Sequence, residues 1–165
     1  MTTEPTTDRL DSGAGWVQAG AALVSMLTVF GVGYSFGAFF ESITAEFDAG
    51  SGATALVFSI TISLSFALAP FTGALADRLG PRPVLLVGAA ALSGGLLVTS
   101  QASSIVMAYV SYGIGVGVAI ACGYVPMVAT VGGWFEQRRT LAVGVSVAGI
   151  GLGTLIGSPL SAALI

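Results

Sequence analysis

The residues of this chain that could carry chemistry are few, and they lie between long apolar runs. Asp77, Arg78 and Arg82 fall within the eleven residues 73–83, GALADRLGPRP. A carboxylate beside guanidinium groups can form charge-assisted hydrogen bonds with arginine or with the N–H groups of a helix N-terminus. Arginine also resists entry into a bilayer, at about 2.5 to 3.5 kcal/mol at its centre. The segment therefore predicts a polar turn that fixes two helix ends, with Asp77 available to hold a contact.

Other kinds of chemistry have little to build on in this sequence. The chain has no histidine and a single cysteine, Cys122, which we interpret as a small packing residue, with a reactive thiol as the alternative. No nucleophile is paired with a base in the apolar runs, so we expect no enzyme, no metal site and no cofactor. The five basic residues form no polybasic patch, so we expect no nucleic-acid partner.

Composition indicates that the lipid bilayer is the principal partner. Only 8% of residues are charged, against about 25% in soluble domains, and the mean hydropathy is +0.94. A spanning helix needs about 20 apolar residues. The uncharged stretches accommodate five such helices, because the polar residues 100–104 divide the longest stretch. The predicted fold class is an all-α membrane protein, with a tail over 1–14 and spans near 15–40, 52–76, 83–100, 105–133 and 139–165.

The basic residues predict the orientation, because cytoplasmic loops retain lysine and arginine. With five crossings, all five arginines fall on one side of the membrane: Arg9, Arg78, Arg82, Arg138 and Arg139. The opposite side has acids only, at Glu41, Glu46 and Asp48 in an expected outer loop. We therefore expect a multi-pass plasma-membrane protein with a cytoplasmic N-terminus.

Polar residues inside the spans form stripes whose role the sequence leaves open. Thr54, Thr61, Ser65 and Thr72 share one arc of the second span. Such a stripe either faces neighbouring helices or lines a wet path. On the first span, Tyr34 points away from the polar face that holds Gln18, Ser25, Thr28 and Ser35.

Glycine ridges predict where the helices approach each other closely. Gly149, Gly153 and Gly157 form a tandem G-x-x-x-G ridge on the fifth span, and Gly113 and Gly117 form another on the fourth. Small residues permit close helix packing in lipid. We interpret the ridges as packing surfaces rather than as contacts with a solute.

The 73–83 segment resembles the loop signature of the major facilitator superfamily, G-x-x-x-D-R-x-G-R-R. The matching positions are Gly73, Asp77, Arg78, Gly80 and Arg82, with Pro81 in place of an arginine. That superfamily carries solutes across membranes. The resemblance implies that Asp77 latches the cytoplasmic side while the solute cavity faces outward, whereas simple anchoring explains the arginines equally well.

Residues 134–149, WFEQRRTLAVGVSVAG, resemble the second signature of the monocarboxylate porter family, and residues 11–16, DSGAGW, resemble its first signature. The matching positions are Asp11, Gly13, Gly15, Trp16, Trp134, Phe135, Arg138, Arg139, Leu141, Ala142, Gly144, Ala148 and Gly149. The segment 34–40, YSFGAFF, is similar to the first helix of prokaryotic members, including oxalate/formate antiporters. The resemblance extends over nearly all of residues 11–165.

This resemblance implies a secondary active transporter of small organic anions such as monocarboxylates, working by alternating access. Tyr34 and Tyr124 are then candidates for the substrate path, with packing as their alternative role. No cationic side chain lies inside a predicted span, so an anion would need one from elsewhere. A neutral-solute transporter of the same superfamily is therefore the runner-up.

The family pattern of two six-helix halves exceeds what this chain contains. We therefore expect it to be an N-terminal portion that needs a C-terminal half or a second chain. The alternative is a truncated membrane fragment without autonomous transport.

Overall fold

The computed structural model describes residues 10–46 and 51–164, and every regular element in these ranges is an α-helix. The helices are α1 (Gly13–Glu46), α2 (Ser51–Leu79), α3 (Pro81–Thr99), α4 (Ile105–Trp134) and α5 (Arg139–Leu164). All five contain a segment long and apolar enough to cross a membrane, judged by length and composition. The predicted class, an all-α membrane bundle, is confirmed.

A single residue joins α2 to α3. Gly80 has φ 86°, a conformation that glycine adopts without steric cost, and its N–H donates to the Ala76 carbonyl. Pro81 then begins α3, where its fixed φ suits the first helical turn. Asp77 and Arg78 consequently belong to the last turn of α2, and Arg78 complements the negative end of its dipole.

The first helix is longer at both ends than its apolar run. It begins at Gly13, inside the predicted tail, and continues past Phe40 to Glu46. Glu41 and Glu46 therefore belong to the helix backbone rather than to an outer loop, because helix hydrogen bonding need not stop where the apolar pattern does. Asp48 and residues 1–9 lie outside the described residues.

The fourth helix lies at the centre of the bundle and packs against the other four. Its most extensive contacts are with α2 and α3, while α1 packs chiefly against α5. Side-chain hydrogen bonds cross these contacts: Tyr112 to Val32 and Gly33, Thr72 to Ala121, Ser146 to Ala19, and Thr99 with Ser111. In an apolar surrounding, hydroxyls of this kind find partners on neighbouring helices.

The tandem glycine ridge of the fifth span lies directly on the backbone of α1. A β-carbon on any of its three glycines would overlap a carbonyl oxygen of α1. The pairs are Gly149 with Leu23, Gly153 with Leu27, and Gly157 with Gly31. The ridge is therefore a packing surface, and the absence of side chains is what lets the two helices approach.

The polar stripe of α2 faces α4. Thr61, Ser65 and Thr72 are all buried, and each donates to a backbone carbonyl. Thr72 also reaches the Ala121 carbonyl of α4 at 2.8 Å. Of the two roles that the sequence left open, these hydroxyls take the first, although Ser65 also borders a cavity. The side chain of Thr54 lies outside the described residues.

Candidate functional site

A concave cavity of about 430 Å³ opens between α1, α2, α4 and α5. Its wall includes five aromatic residues on three helices: Phe30 and Tyr34 from α1, Phe58 and Phe66 from α2, and Tyr124 from α4. We call this the aromatic cavity. Tyr34 and Tyr124, the two candidates from the sequence, thus line the same space.

Four of these rings, those of Tyr124, Phe30, Tyr34 and Phe58, form a continuous chain across three helices. Tyr124 stands edge-on to Phe30, with ring centroids 5.8 Å apart and an interplanar angle of 78°. Phe30 stacks with Tyr34 at 6.2 Å and 21°, and Tyr34 meets Phe58 at 6.1 Å. These separations lie within the range of favourable aromatic pairs. The rings therefore support one another and hold a defined wall.

The hydroxyl groups of the two cavity tyrosines are available for hydrogen bonding. Tyr34 is 40% and Tyr124 38% exposed, and neither phenol oxygen makes a hydrogen bond to the part of the chain that the structure describes. Tyr112 differs, because it is 8% exposed and its hydroxyl donates to the Val32 and Gly33 carbonyls at 3.1 and 3.2 Å. A phenol can donate one hydrogen bond and accept others. Tyr34 and Tyr124 can therefore offer donors to a solute.

The rest of the wall is apolar or already satisfied. Ser65 contributes a hydroxyl, but it donates to the Ile62 carbonyl at 2.8 Å. Among the described residues that line the aromatic cavity, none is an acid, a lysine or an arginine. The wall thus combines aromatic surface with two neutral hydrogen-bond donors.

A second arrangement joins the start of α1 to the loop before α5. The Asp11 carboxylate accepts hydrogen bonds from the backbone N–H groups of Gln137 and Arg138, both at 3.1 Å, and of Glu136 at 3.4 Å. In return, the Asp11 N–H donates to the Trp134 carbonyl at 3.0 Å. Asp11 adopts φ 57° here, which aspartate tolerates better than most residues. We call this arrangement the Asp11 clasp.

The backbone hydrogen bond from Gln137 is the main cause that lowers the pKa of Asp11 below its ordinary value of 3.8. Burial has the second-largest effect and raises the pKa, while the N–H groups of Arg138 and Glu136 and the charge of Arg138 each lower it to a smaller extent. Hydrogen bonds to the ionised form favour that form. The clasp is therefore built for a charged aspartate at neutral pH.

Aromatic packing reinforces the clasp. The rings of Trp16 and Phe135 meet edge to face, with centroids 5.1 Å apart. A β-carbon at Gly15 would stand 3.0 Å from the Phe135 ring, so this position has little room for a side chain. The two signature segments of the sequence are thus one three-dimensional unit.

The remaining signature residues have varied surroundings. Arg138, Arg139 and Leu141 are exposed, and the Arg139 guanidinium lies over Gly132 at the end of α4. Ala142 is fully buried, whereas Gly13 and Gly144 face open space. The signature therefore mixes clasp residues, packing residues and positions to which the structure gives no contact.

The 73–83 segment forms no comparable contact. Asp77, Arg78 and Arg82 are exposed, and within the described ranges Asp77 has no ion pair or side-chain hydrogen bond. Gly73 packs against Val125, and a β-carbon there would stand 3.2 Å from that side chain. In residues 10–46 and 51–164, no three His, Cys, Asp or Glu side chains gather where they could hold a metal ion.

Sequence reasoning missed Phe30 and Phe58 as cavity residues. Phe30 lies four residues before Tyr34, one helical turn away, so helical spacing could have indicated it. Phe58 comes from another helix, and no signal in its neighbourhood predicts the encounter with Tyr34. Likewise, no pattern in the sequence predicted the hydrogen bonds between Asp11 and residues 136–138.

The described residues form five membrane-length helices, four of which pack around α4, and a cavity opens on one side; this arrangement defines a multi-pass membrane protein. Residues 21–165 match the Major Facilitator Superfamily, and the chain belongs to this family. It is 34% identical over 154 residues to monocarboxylate transporter 13 of Rattus norvegicus, covering 93% of this chain and 36% of that relative.

Other relatives show the same extent of similarity. Monocarboxylate transporter 3 of Mus musculus is 35% identical over 139 residues, or 84% of this chain and 28% of the relative. Monocarboxylate transporter 11 of Homo sapiens is 32% identical over 149 residues, which is 90% of this chain and 32% of the relative. The chain therefore spans about a third of the length of these relatives.

Proposed function

We propose that this chain is the N-terminal portion of a secondary active transporter of small organic anions such as monocarboxylates. The observation that carries the proposal is the aromatic cavity, whose wall presents the two unpartnered hydroxyls of Tyr34 and Tyr124. A carboxylate accepts hydrogen bonds only, so phenol donors suit it. The names of the relatives, monocarboxylate transporters, support the same solute class.

The counter-charge for the anion comes from outside this wall. The described lining of the cavity offers no cation, and the relatives extend well beyond the matched segment. A C-terminal half, or a second chain, would face the aromatic cavity and supply a basic side chain. The solute then binds between the two parts, and rocking of the parts exposes it to each side of the membrane in turn.

The exposed charged residues where α2 meets α3 suit the closing contact of this cycle. Asp77 and Arg82 are exposed and have no side-chain partner in the described residues, so both are free to bind the other part of the protein. In the proposed orientation this junction of α2 and α3 lies on the cytoplasmic side of the plasma membrane, as does the N-terminus. Asp77 acts as the latch, and the arginines keep the helix ends at the membrane surface.

A transporter of neutral solutes is the second candidate. The uncharged cavity wall favours it, because a neutral solute needs no cation from elsewhere. Competition separates the two functions. Carboxylic acids inhibit an anion carrier more strongly than their uncharged amides do, whereas a neutral-solute carrier shows the opposite order.

The direct test is uptake of labelled carboxylates into proteoliposomes that contain the full-length protein carrying this chain. We expect uptake that depends on an imposed proton, sodium or anion gradient and that falls in Tyr34→Phe and Tyr124→Phe. No uptake under any gradient would contradict the proposal. Residues 1–165 reconstituted alone provide the control for autonomous transport, which we expect to be absent.

A further inference from the structure

We propose that the aromatic cavity selects monocarboxylates with a planar aromatic body over small aliphatic acids and over dicarboxylates. This inference rests on the proposed transport function and specifies its solute. It comes from the geometry of the ring chain, from the polar atoms that the wall leaves free, and from the size of the cavity.

The ring chain offers both arrangements that an aryl group favours. Phe30 and Tyr34 are stacked, with 21° between their planes, while Tyr124 stands at 78° to Phe30 in an edge-to-face contact. Aromatic rings prefer offset-stacked or edge-to-face packing. An aryl solute that packs against Phe30 or Tyr34 in the cavity can therefore also contact a second ring of the chain, whereas an aliphatic chain gains only burial.

The polar atoms of the wall suit one carboxylate rather than two. The free donors are the Tyr34 and Tyr124 hydroxyls, since Ser65 already donates to Ile62. Once both hydroxyls bind one carboxylate, a second carboxylate would lie against phenylalanine and aliphatic side chains without a hydrogen-bond partner. Burying a charge without a partner is costly. Oxalate and other dicarboxylates are therefore disfavoured at this wall.

The size of the cavity points in the same direction. Its 430 Å³ lies within the range of about 300 to 1,000 Å³ typical of sites that enclose drug-sized ligands. Formate or acetate would leave most of the aromatic wall without contact. A phenyl or indolyl group would cover more of it and gain dispersion contacts with the rings.

The test compares three labelled acids in proteoliposomes that contain the full-length protein: phenylacetate, cyclohexylacetate and acetate. The first two share the carboxylate and nearly the same bulk, and only phenylacetate has a π face. We expect phenylacetate to be preferred over cyclohexylacetate by about 3- to 10-fold in uptake efficiency. Acetate should be transported least efficiently, and oxalate should not compete.

Two variants locate the preference in the ring chain. Phe30→Leu keeps apolar bulk but removes the central ring, so the ratio of phenylacetate to cyclohexylacetate should fall toward one. Phe71→Leu is the matched control, because Phe71 is exposed on α2 and does not line the aromatic cavity. If Phe30→Leu fails to fold, Tyr124→Leu removes the edge-on ring instead.

The outcomes separate this inference from the function on which it rests. Uptake of aliphatic carboxylates without any preference for phenylacetate overturns the inference and leaves the proposed transporter standing. A preference that survives both Phe30→Leu and Tyr124→Leu also overturns it, since the rings would not be its source. Failure to transport any carboxylate overturns the proposed function and this inference with it.

Discussion

The Oδ1 atom of Asp11 accepts a hydrogen bond from the backbone N–H of Arg138 at 3.1 Å, across 127 positions of sequence. This bond joins the start of α1 to the start of α5. The same two helices meet further along through the glycine ridge at Gly149 and Gly153. The pair is thus fixed by a polar contact at its end and by close backbone packing within the membrane.

Removal of the Asp11 carboxylate should loosen this end of the bundle. We expect Asp11→Ala to lower the thermal unfolding temperature of the purified protein, because three backbone N–H groups lose their shared acceptor. Asp11→Asn should lower the unfolding temperature less, since the amide oxygen of asparagine still accepts hydrogen bonds. Glu136→Gln is the control, because Glu136 contributes only its backbone to the clasp. Equal stability of Asp11→Ala and the unmodified protein would contradict the contribution of the clasp.

The stabilising effect of Asp11 should depend on pH in a defined direction. The pKa of Asp11 in the folded protein lies below its ordinary value of 3.8, so the charged form is favoured by folding. Its contribution is therefore complete above that value and is lost as pH falls through the folded pKa. The difference in unfolding temperature between the unmodified protein and Asp11→Asn should stay constant from about pH 7 to pH 5 and shrink below 3.8. A difference that instead disappears at neutral pH would exclude this origin.

A side chain at Gly153 should separate α1 from α5. A β-carbon there overlaps the Leu27 carbonyl, and the backbone nitrogen of Gly31 lies 2.9 Å away. Gly153→Ala should therefore reduce the free energy of unfolding by about 1 to 3 kcal/mol. Gly151→Ala, two residues away with nothing within 4 Å, should be neutral or gain up to about 1 kcal/mol from helix propensity. Denaturant unfolding of both variants checks the contrast, and equal effects would refute it.

The hydroxyl of Thr72 should contribute to the contact between α2 and α4. It reaches the Ala121 carbonyl at 2.8 Å, and interhelical bonds of this kind average about 0.6 kcal/mol and reach about 1.7. Thr72→Val should lower the free energy of unfolding by an amount in that range. Thr28→Val is the matched control, because the Thr28 hydroxyl donates to Val24 within its own helix. A larger loss of unfolding free energy in Thr28→Val than in Thr72→Val would contradict this interpretation.

Thiol labelling should reveal the orientation of the chain. The one cysteine, Cys122, is buried, so Cys122→Ser provides a background free of thiols. In residues 1–165 carrying Cys122→Ser, we expect Ser103→Cys, in the turn between α3 and α4, to react with a membrane-impermeant maleimide on intact cells. Gln137→Cys, beside the arginine pair, should react only after permeabilisation. The reverse pattern would place the arginines outside and contradict the proposed topology.

Much of the helix pattern could be predicted from composition and a few local signals. Uncharged runs of membrane length indicated five helices, and all five are present, with Gly80 and Pro81 marking one boundary. The ends of α1 were harder to predict from the sequence, because an apolar run indicates immersion in lipid and does not mark where helix hydrogen bonding ends. The helix α1 thus ends at Glu46, whereas the charge pattern predicted that its span ends at Phe40.

Sequence by itself determined the membrane-spanning character, the number of helices and the residues with unusual chemistry, because bilayer thickness and the cost of burying charge act on each segment locally. Only the tertiary structure decided which faces meet: Asp11 with residues 136–138, Thr72 with Ala121, and Phe30 between Tyr34 and Tyr124. The physical reason is that lipid and neighbouring helices are both apolar, so hydrophobicity alone cannot distinguish the side of a helix that packs from the side that faces the bilayer.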